Sequence, residues 1–274
     1  MVAQDAVQPY KELRQNLARR DRSLREKVVT LEEAASFVRD GASVGIGGST
    51  MSRTPMALIW QLIRARKKEL SCSRCIISTD GDLLLGSGVS NHIVSSWFAQ
   101  GGSDVGKKRL EAKEIDCPFT GEKLLLVPAL NPDVALIHVQ RCDAYGNAQI
   151  DGLQFMDIDL AMAANRVILT TERIVSNDQI RRSPDQTKIP FFCVDAVVEV
   201  PFGSAPHECY GVYEPMMNHL ETYVKQVNGD PVGGMKKYLD QHVYGLKNWN
   251  EFLSLIGIDE IVAASRRGRS IFDD

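Results

Sequence analysis

The order of apolar and polar residues in this chain predicts alternating short strands and helices. Thr30-Leu-Glu-Glu33 has the pattern of a capping box, and Gly41 has that of a helix end, which together predict a helix over about 31–40. Compact apolar runs typical of buried strands follow at about 43–46, 75–78, 93–96, 124–127, 134–139, 167–171 and 196–200. Further helices are expected at about 54–66, 158–164, 216–227, 235–243 and 250–256. The fold is therefore predicted to be α/β, with a mainly parallel or mixed sheet, flanking helices and a helical C-terminal region.

The N-terminal residues differ from the rest of the chain. Residues 1–29 are rich in arginine and lysine, and their leucines are only loosely periodic. Acidic residues are interspersed among them, which is untypical of a mitochondrial presequence. We expect residues 1–29 to form a helical arm that packs on a partner, and residues 30–274 to form one α/β domain.

Composition and charge exclude several classes of protein. The chain has 274 residues, of which 44% are hydrophobic, and its formal charge of -3 arises from 32 basic and 35 acidic residues mixed along the sequence. This distribution leaves no basic stripe for nucleic acid. Since no apolar run is long enough to cross a bilayer and no secretory signal is recognisable, we expect a soluble, cytoplasmic protein that does not bind membranes. The six scattered cysteines are expected to be reduced thiols.

A glycine-rich loop after the first predicted strand is the first candidate for chemistry. In Gly45-Ile-Gly-Gly-Ser-Thr-Met-Ser-Arg-Thr-Pro55, the strand runs into glycines, and Thr54-Pro55 has the pattern of an N-cap and the first residue of a helix. Backbone N–H groups in such a loop attract an anion or a developing oxyanion. The spacing is neither that of a P-loop nor a complete dinucleotide-binding fingerprint. Taken alone, the loop fits a tight turn after a buried strand equally well.

Other residues that often carry chemistry are weaker candidates. Cys72 and Cys75 form a Cys-x-x-Cys pair, but no second pair at matching spacing indicates a zinc site, and we expect no bound metal. His138 lies in an apolar strand, where a hydrogen-bonded structural imidazole is the commoner role. His207 lies in a loop rich in proline and glycine and is the one histidine that we consider a functional candidate. Spacing alone defines no Ser/His/Asp triad.

Several segments, in the same order along the chain, resemble one family of enzymes. Residues 131–150 form a strand, a Gly146-Asn147 turn and a second short strand, and together with the glycine loop they resemble the A subunits of family I CoA-transferases, with the glutaconate enzymes the most similar. Residues 117–128, 189–198 and 209–213 extend the resemblance. It implies a CoA-transferase-like α/β fold, similar to that of the sugar-phosphate isomerase group.

The resemblance also implies an activity and a partner. In this family, an A and a B subunit share an active site at their interface, and a glutamate of B forms an acyl anhydride and then a glutamyl-CoA thioester. This chain contains no Glu-x-Gly, the context expected for that nucleophile, so we expect no catalytic nucleophile here. Coenzyme A is then a substrate, carried as acyl-CoA, and no cofactor is permanently bound. A hetero-oligomer with the B subunit, α2β2 or larger, is expected to act on carboxylates.

The resemblance assigns site residues to the glycine loop. Gly47, Gly48, Ser49, Thr50 and Arg53 are expected to face the interface and to hold the acyl group or the oxyanion. Arg53 is interpreted either as a fork for the distal carboxylate of a dicarboxylic substrate or as a salt bridge to the partner subunit. Secondary candidates for polar contact, with a purely structural strand bend as the alternative, are Asn147 and Gln149.

The chain also departs from the family pattern. Between Trp97 and Asp116, the family carries a longer helix-and-strand insert, which here is reduced to a polar stretch at 101–108. Alternative hypotheses are therefore a subunit of a CoA-thioester hydrolase or decarboxylase of the same fold, and a non-catalytic structural or regulatory subunit. A sugar-phosphate isomerase is the most remote alternative, because no acid/base pair is visible.

Overall fold

Three layers make up the molecule, a central sheet with helices on both faces. The computed structural model describes residues 18–19, 21–97, 113–126 and 129–269, and the stretch 101–108 lies outside them. One apolar cluster covers each face of the sheet. Neighbouring residues of a single strand divide between the clusters, with Leu136 in one and Ile137 and Val139 in the other. Burial on both faces explains why the strands read as continuous apolar runs.

The sheet is mainly parallel. The strands are β1 (Ser43–Ile46), β2 (Leu70–Ile76), β3 (Ser90–Trp97), β4 (Lys113–Asp116), β5 (Lys123–Leu126), β6 (Val134–Cys142), β7 (Ala148–Gln149), β8 (Arg166–Ile174), β9 (Thr187–Ile189) and β10 (Ala196–Glu199). Six of them pair in parallel in the order β10-β8-β6-β1-β2-β3. β7 pairs antiparallel with β6, and β9 antiparallel with β7. The prediction of a mainly parallel or mixed sheet is confirmed.

In the described residues, helices follow five of the ten strands and form the C-terminal region. They are α1 (Leu31–Ser36), α2 (Met56–Arg64), α3 (Thr79–Gly86), α4 (Asp157–Ala163), α5 (Asn177–Arg181), α6 (Met217–Gly229), α7 (Pro231–Leu239), α8 (Trp249–Ile256) and α9 (Ile258–Arg269). A π-helical turn, Asp240–Tyr244, follows α7. The capping box is present, because Thr30 Oγ1 accepts from Glu33 N and Glu33 Oε2 accepts from Thr30 N. None of the helices in the described residues is long and apolar enough to span a membrane.

Several predicted boundaries were wrong for local reasons. α1 ends at Ser36 because the N–H groups of Phe37 and Val38 bond to carbonyls three residues back, which tightens the last turn. α2 begins at Met56 without a side-chain cap from Pro55. Thr54 does not cap it, because its hydroxyl is engaged by two other side chains.

Other elements were missed or misplaced. The strand predicted at 75–78 lies earlier, as β2, and its last residues instead lead into α3, which was not predicted. The run at 124–127 contributes β5, which pairs with β4 in a separate two-stranded hairpin. The last helix, α9, was also missed. All six cysteines are free thiols, and Cys72 and Cys75 lie within β2.

The last residues of the N-terminal segment pair with the sheet. Val29 N donates to Val197 O, and Val197 N donates to Lys27 O, so this stretch lies along β10. Residues 21–27 contain no helix. Residues 1–17 and 20 of the predicted helical arm lie outside the described residues.

Candidate functional site

The glycine loop follows β1, the strand on whose two sides the rest of the sheet is built. From β1, the chain adds β2 and β3 on one side, whereas β6, β8 and β10 lie on the other. The carboxyl end of β1 pairs with Leu136 of β6, and the strands that follow β1 and β6 in the sheet lie on opposite sides of this pair. In open α/β sheets such a switch point is the usual place for a ligand. Residues 47–53 follow β1 directly at this point.

The backbone of the loop closes on itself. Ser49 N donates to Ser52 O (3.1 Å), and Ser52 N donates to Ser49 O (2.8 Å). Gly48, Thr50 and Arg53 have positive φ values of 70°, 49° and 49°. At Gly48, a Cβ atom would lie 2.2 Å from Ser52 O, so only glycine fits the turn.

A buried carboxylate holds the loop from within the protein. Asp157, the first residue of α4, accepts a hydrogen bond from Gly48 N at Oδ1 (2.7 Å) and forms an ion pair with Arg53 Nη1 at Oδ2. Both side chains are fully buried. The guanidinium also donates to His138 O (3.2 Å) and Leu153 O (2.6 Å). The Arg53 guanidinium is therefore buried and bonded within the chain.

Two further segments hold the other side of the loop. Arg53 N donates to Glu208 O (3.0 Å), and Glu208 N donates to Met51 O (2.8 Å). Thr50 N donates to Ile76 O at the end of β2 (2.9 Å). Segments from several parts of the chain thus contribute hydrogen bonds to the loop.

This arrangement leaves a small part of the loop available to a ligand. Within 47–53, the backbone N–H of Met51 is the one amide without an acceptor among the described residues. The Thr50 side chain beside it is exposed, whereas Ser49 is buried. A backbone donor next to an exposed hydroxyl at a switch point is suited to polarising a carbonyl oxygen.

Two exposed apolar residues, Leu153 and Phe155, border the loop. The carbonyl of Leu153 is bonded to Arg53, while its side chain is 73% exposed. Phe155 has a positive φ of 49°, and the Arg53 guanidinium lies 5.6 Å from the centre of its ring. Exposed apolar side chains beside a polar loop are typical of a surface that another molecule covers.

Asn147 and Gln149 are occupied by contacts within the chain. Asn147 Nδ2 donates to Asp143 Oδ2 (2.8 Å), and its Oδ1 accepts from a backbone N–H at the start of a short 3₁₀ turn, Phe191–Cys193. Gln149 is buried, donates to Ser183 O (3.0 Å) and accepts from Arg141 Nε (2.8 Å). These bonds fasten the bend between β6 and β7.

A second buried cluster lies beneath the end of β6. His138, Glu172 and Cys209 place potential metal-ligand atoms within 4.8 Å of one another. Glu172, however, accepts from His138 Nε2 (2.8 Å), from the hydroxyl of Tyr213 (2.6 Å) and from two backbone N–H groups. Burial raises the pKa of the Cys209 thiol well above its usual range. Because four donors within the chain already engage the carboxylate, we assign no metal to this cluster.

The residues that shape the loop from outside could not be identified from sequence. Asp157 and Glu208 carry no motif, and each lies far along the chain from the glycines. A carboxylate that opens a helix after a turn is also a common helix-start residue. Only the folded chain distinguishes these two from other acidic residues.

Comparison with known proteins identifies the class to which this fold and loop belong. Residues 28–115 and 98–200 match the coenzyme A transferase family, and the chain belongs to that family.

Individual relatives share both the sequence and the fold. A protein from Archaeoglobus fulgidus is 34% identical over 90% of this chain, which spans 66% of that relative. The A subunit of glutaconate CoA-transferase from Acidaminococcus fermentans is 28% identical, over 86% of this chain and 93% of the relative. The crystal structure of that organism's glutaconate coenzyme A-transferase matches with a TM-score of 0.78, covering 86% of this chain and 94% of the other. The A subunit of 3-oxoadipate CoA-transferase from Pseudomonas knackmussii is 28% identical, over 84% and 98% of the two chains. The predicted fold and family are confirmed.

Proposed function

We propose that this chain is the A subunit of a heteromeric CoA-transferase that moves CoA between an acyl-CoA and a short carboxylic or dicarboxylic acid. The observation that carries the proposal is the glycine loop, which presents the free N–H of Met51 at the switch point of a coenzyme A transferase fold. Relatives named for glutaconate and 3-oxoadipate favour a dicarboxylic acid. The partner is a B subunit that carries the nucleophilic glutamate, in an α2β2 or larger assembly.

The chemistry proceeds through two covalent intermediates on the partner subunit. Its glutamate attacks the carbonyl carbon of the donor acyl-CoA, a C–O bond forms, and the C–S bond breaks with the electron pair leaving on the CoA thiolate. The thiolate then attacks the glutamyl carbonyl of this anhydride, which releases the donor acid and forms a glutamyl-CoA thioester. An acceptor carboxylate takes the CoA by the reverse steps. CoA is a substrate throughout, and no permanently bound cofactor is needed.

In this proposal, the present chain supplies a backbone hydrogen-bond donor, the Met51 N–H, and one wall of the site that the partner subunit closes. Each attack places negative charge on a carbonyl oxygen, and the Met51 N–H is oriented to donate to it. Gly47, Gly48 and Ser49 give the loop its shape, and the Thr50 hydroxyl lies at its exposed edge. Closure by the partner subunit excludes water from the anhydride and the thioester.

The remaining predicted site residues receive supporting roles. We assign Arg53 to holding the loop, since its guanidinium is buried and bonded to Asp157. Asn147 and Gln149 hold the bend after β6. The exposed side chains of Leu153 and Phe155 form the wall that faces the partner subunit.

The test is reconstitution with the B-type subunit from the same source. We expect CoA exchange between glutaconyl-CoA or acetyl-CoA and free glutaconate, 3-oxoadipate or acetate only when both chains are present. Borohydride should trap the thioester on the partner's glutamate and not on this chain. A complex that consumes thioester without forming a new acyl-CoA would indicate hydrolysis, and release of carbon dioxide would indicate decarboxylation. A stable complex with none of these reactions would indicate a non-catalytic subunit.

The β4–β5 hairpin offers a contact surface for that partner. All eight of its strand residues are exposed, although two-stranded hairpins are marginally stable alone. The pairing Ile115↔Leu124 and Lys113↔Leu126 puts Ile115 and two leucines on one face. Glu114, Asp116 and Lys123 lie on the other face with a third leucine. β3, the strand before this hairpin in the chain, runs parallel to β1, so its carboxyl end lies at the same end of the sheet as the glycine loop. We propose that the partner subunit covers the apolar face of the hairpin.

A pair of variants tests this surface. Replacing Leu124 and Leu126 together by aspartate is expected to raise the Kd of the complex with the B subunit by roughly 30-fold or more, because two buried apolar contacts are lost. The matched control is Leu125→Asp on the opposite face, whose leucine is 44% exposed, close to the 42% and 49% of the other two. Titration calorimetry or sedimentation measures the Kd. Equal effects on both faces would show that this hairpin face does not contact the partner.

A further inference from the structure

A chain of buried polar side chains lies directly beneath the glycine loop. Arg74, in β2, donates from Nη2 to Thr54 Oγ1 (2.7 Å). Thr54 Oγ1 lies 2.7 Å from His207 Nδ1, and His207 Nε2 lies 2.6 Å from Thr79 Oγ1. Three of these four side chains are buried, and Thr79 is half-buried at the start of α3. Nothing in the proposed chemistry uses this chain of hydrogen bonds.

Two oppositely charged side chains, Arg74 and Asp80, lie near the imidazole and shift its pKa in opposite directions. Arg74 forms a fully buried ion pair with Asp80, whose Oδ1 also accepts from Ser78 N (3.0 Å). Burial lowers the pKa of His207 to about 4, and of the two charged neighbours, Asp80 raises it and Arg74 lowers it. The imidazole is therefore neutral near pH 7.

The donors fix which nitrogen carries the proton. Arg74 is always a donor, so the hydroxyl of Thr54 accepts from it and has its own hydrogen free to donate. Among the residues that the structure describes, the acceptor at hydrogen-bond distance for that hydrogen is His207 Nδ1. Nε2 then carries the proton and donates to Thr79 Oγ1. The opposite tautomer would leave the buried hydroxyl hydrogen of Thr54 without this acceptor.

The imidazole connects three segments that each hold the glycine loop. Thr54 directly follows the loop. Glu208, the next residue after His207, bonds to Met51 O and Arg53 N. Thr79 follows closely after Ile76, whose carbonyl accepts from Thr50 N. These bonds connect the imidazole, through neighbouring residues, to the backbone on both sides of the Met51 N–H.

We propose that His207 is a positioning residue for the glycine loop, held as a neutral imidazole protonated at Nε2, and that it fixes the direction of the Met51 N–H. Its kinetic consequence rests on the proposed function of that loop. The protonation state and the hydrogen bonds of His207 do not depend on that function.

The first experiment determines the tautomer and the protonation state of His207 by NMR. In the ¹⁵N-labelled complex with the B subunit, a two-bond ¹H–¹⁵N correlation spectrum identifies the tautomer of each of the five histidines, with His207→Gln providing the assignment. We expect the Nε2–H pattern at pH 7 and no titration of His207 down to about pH 5. An Nδ1–H or charged ring at pH 7, or titration near pH 6.5, would overturn the proposal whether or not the complex transfers CoA.

The second experiment separates positioning from stability. Thr79→Val removes one hydrogen bond with little change in shape, and His207→Phe removes both. We expect kcat to fall roughly tenfold in Thr79→Val and further in His207→Phe, with KM for acyl-CoA changed less than about threefold, since one net hydrogen bond corresponds to about one order of magnitude. Some rescue is expected in His207→Gln, whose amide N–H reaches towards Thr79. If His207→Phe does not fold, Thr79→Val decides the question alone.

A second buried histidine is the matched control. His219, in α6, is hydrogen-bonded to the Tyr238 hydroxyl (3.0 Å), and burial likewise lowers its pKa to about 4. His219→Phe is expected to lower the Tm while leaving kcat within about twofold of the unmodified complex. A similar loss of kcat in both histidine variants, or a normal kcat in Thr79→Val, would refute the positioning role. No transfer by the unmodified complex would instead refute the proposed function and leave the spectroscopic experiment to decide.

Discussion

Asp157→Asn is expected to abolish CoA transfer while the complex with the B subunit still forms. The asparagine oxygen can accept from Gly48 N, but its amide then faces the Arg53 guanidinium, and a buried charge loses its partner. Breaking a buried pair in this way destabilises a protein by about 3 to 5 kcal/mol. Loss of one oriented oxyanion donor alone lowers kcat by about 100-fold or more. Steady-state exchange kinetics and thermal unfolding measure the two effects.

Two further variants separate folding from catalysis. Asp159→Asn changes an exposed carboxylate in the same first turn of α4, and we expect it to alter neither kcat nor Tm noticeably. The double variant Arg53→Met with Asp157→Leu removes both charges and should regain part of the lost stability. It should not regain activity, because Gly48 N then lacks its acceptor. Normal kcat in Asp157→Asn would show that the loop does not depend on this carboxylate.

Gly48→Ala is expected to have an equally large effect through the backbone. The added Cβ would lie 2.2 Å from Ser52 O and 2.7 Å from Arg53 O, and neither backbone oxygen can move while the turn is closed. The loop must therefore open, and we expect kcat to fall by at least about 100-fold as the Met51 N–H loses its direction. Exchange kinetics at saturating acyl-CoA measure this loss.

The control for Gly48→Ala is Gly41→Ala. Gly41 has nearly the same φ, 75° against 70°, but a Cβ there meets nothing within 4 Å. This variant carries the left-handed backbone penalty of about 1 to 2 kcal/mol without the clash. We expect it to lower stability and to leave transfer unchanged. If the two alanine variants lost the same activity, backbone strain rather than loop closure would be responsible.

Local chemistry made the central fold predictable, and distance along the chain limited the prediction of the site. The unit of β1, loop and α2 follows from a short apolar strand, two glycines and a proline near the helix start, all contiguous in sequence. The support of the loop by Asp157 was not predictable, because Asp157 is 109 positions away from Gly48, whose N–H it accepts. The family resemblance implied that Arg53 pairs with a substrate carboxylate or with the partner subunit, whereas the folded chain pairs it with Asp157. Its pair could be seen only after folding.

The same limit applies to the capping residue and to the hairpin. Thr54 fits an N-cap by type and position, but a buried arginine and a histidine from distant segments compete for its hydroxyl. The leucines of β5 have the composition of a buried strand, and the exposure of every strand residue in the hairpin shows that apolar runs do not by themselves identify the main sheet.

The distant supports of the glycine loop also affect the order of events during synthesis. Asp157 and Glu208, which bond to the loop, emerge from the ribosome long after Gly47 to Arg53, since Asp157 follows Gly48 by 109 positions. At ordinary translation rates the interval is on the order of ten seconds or more. A nascent chain that has not yet reached Glu208 therefore presents an unformed loop, so a B subunit that recognises the closed loop is expected to join only after Glu208 has emerged.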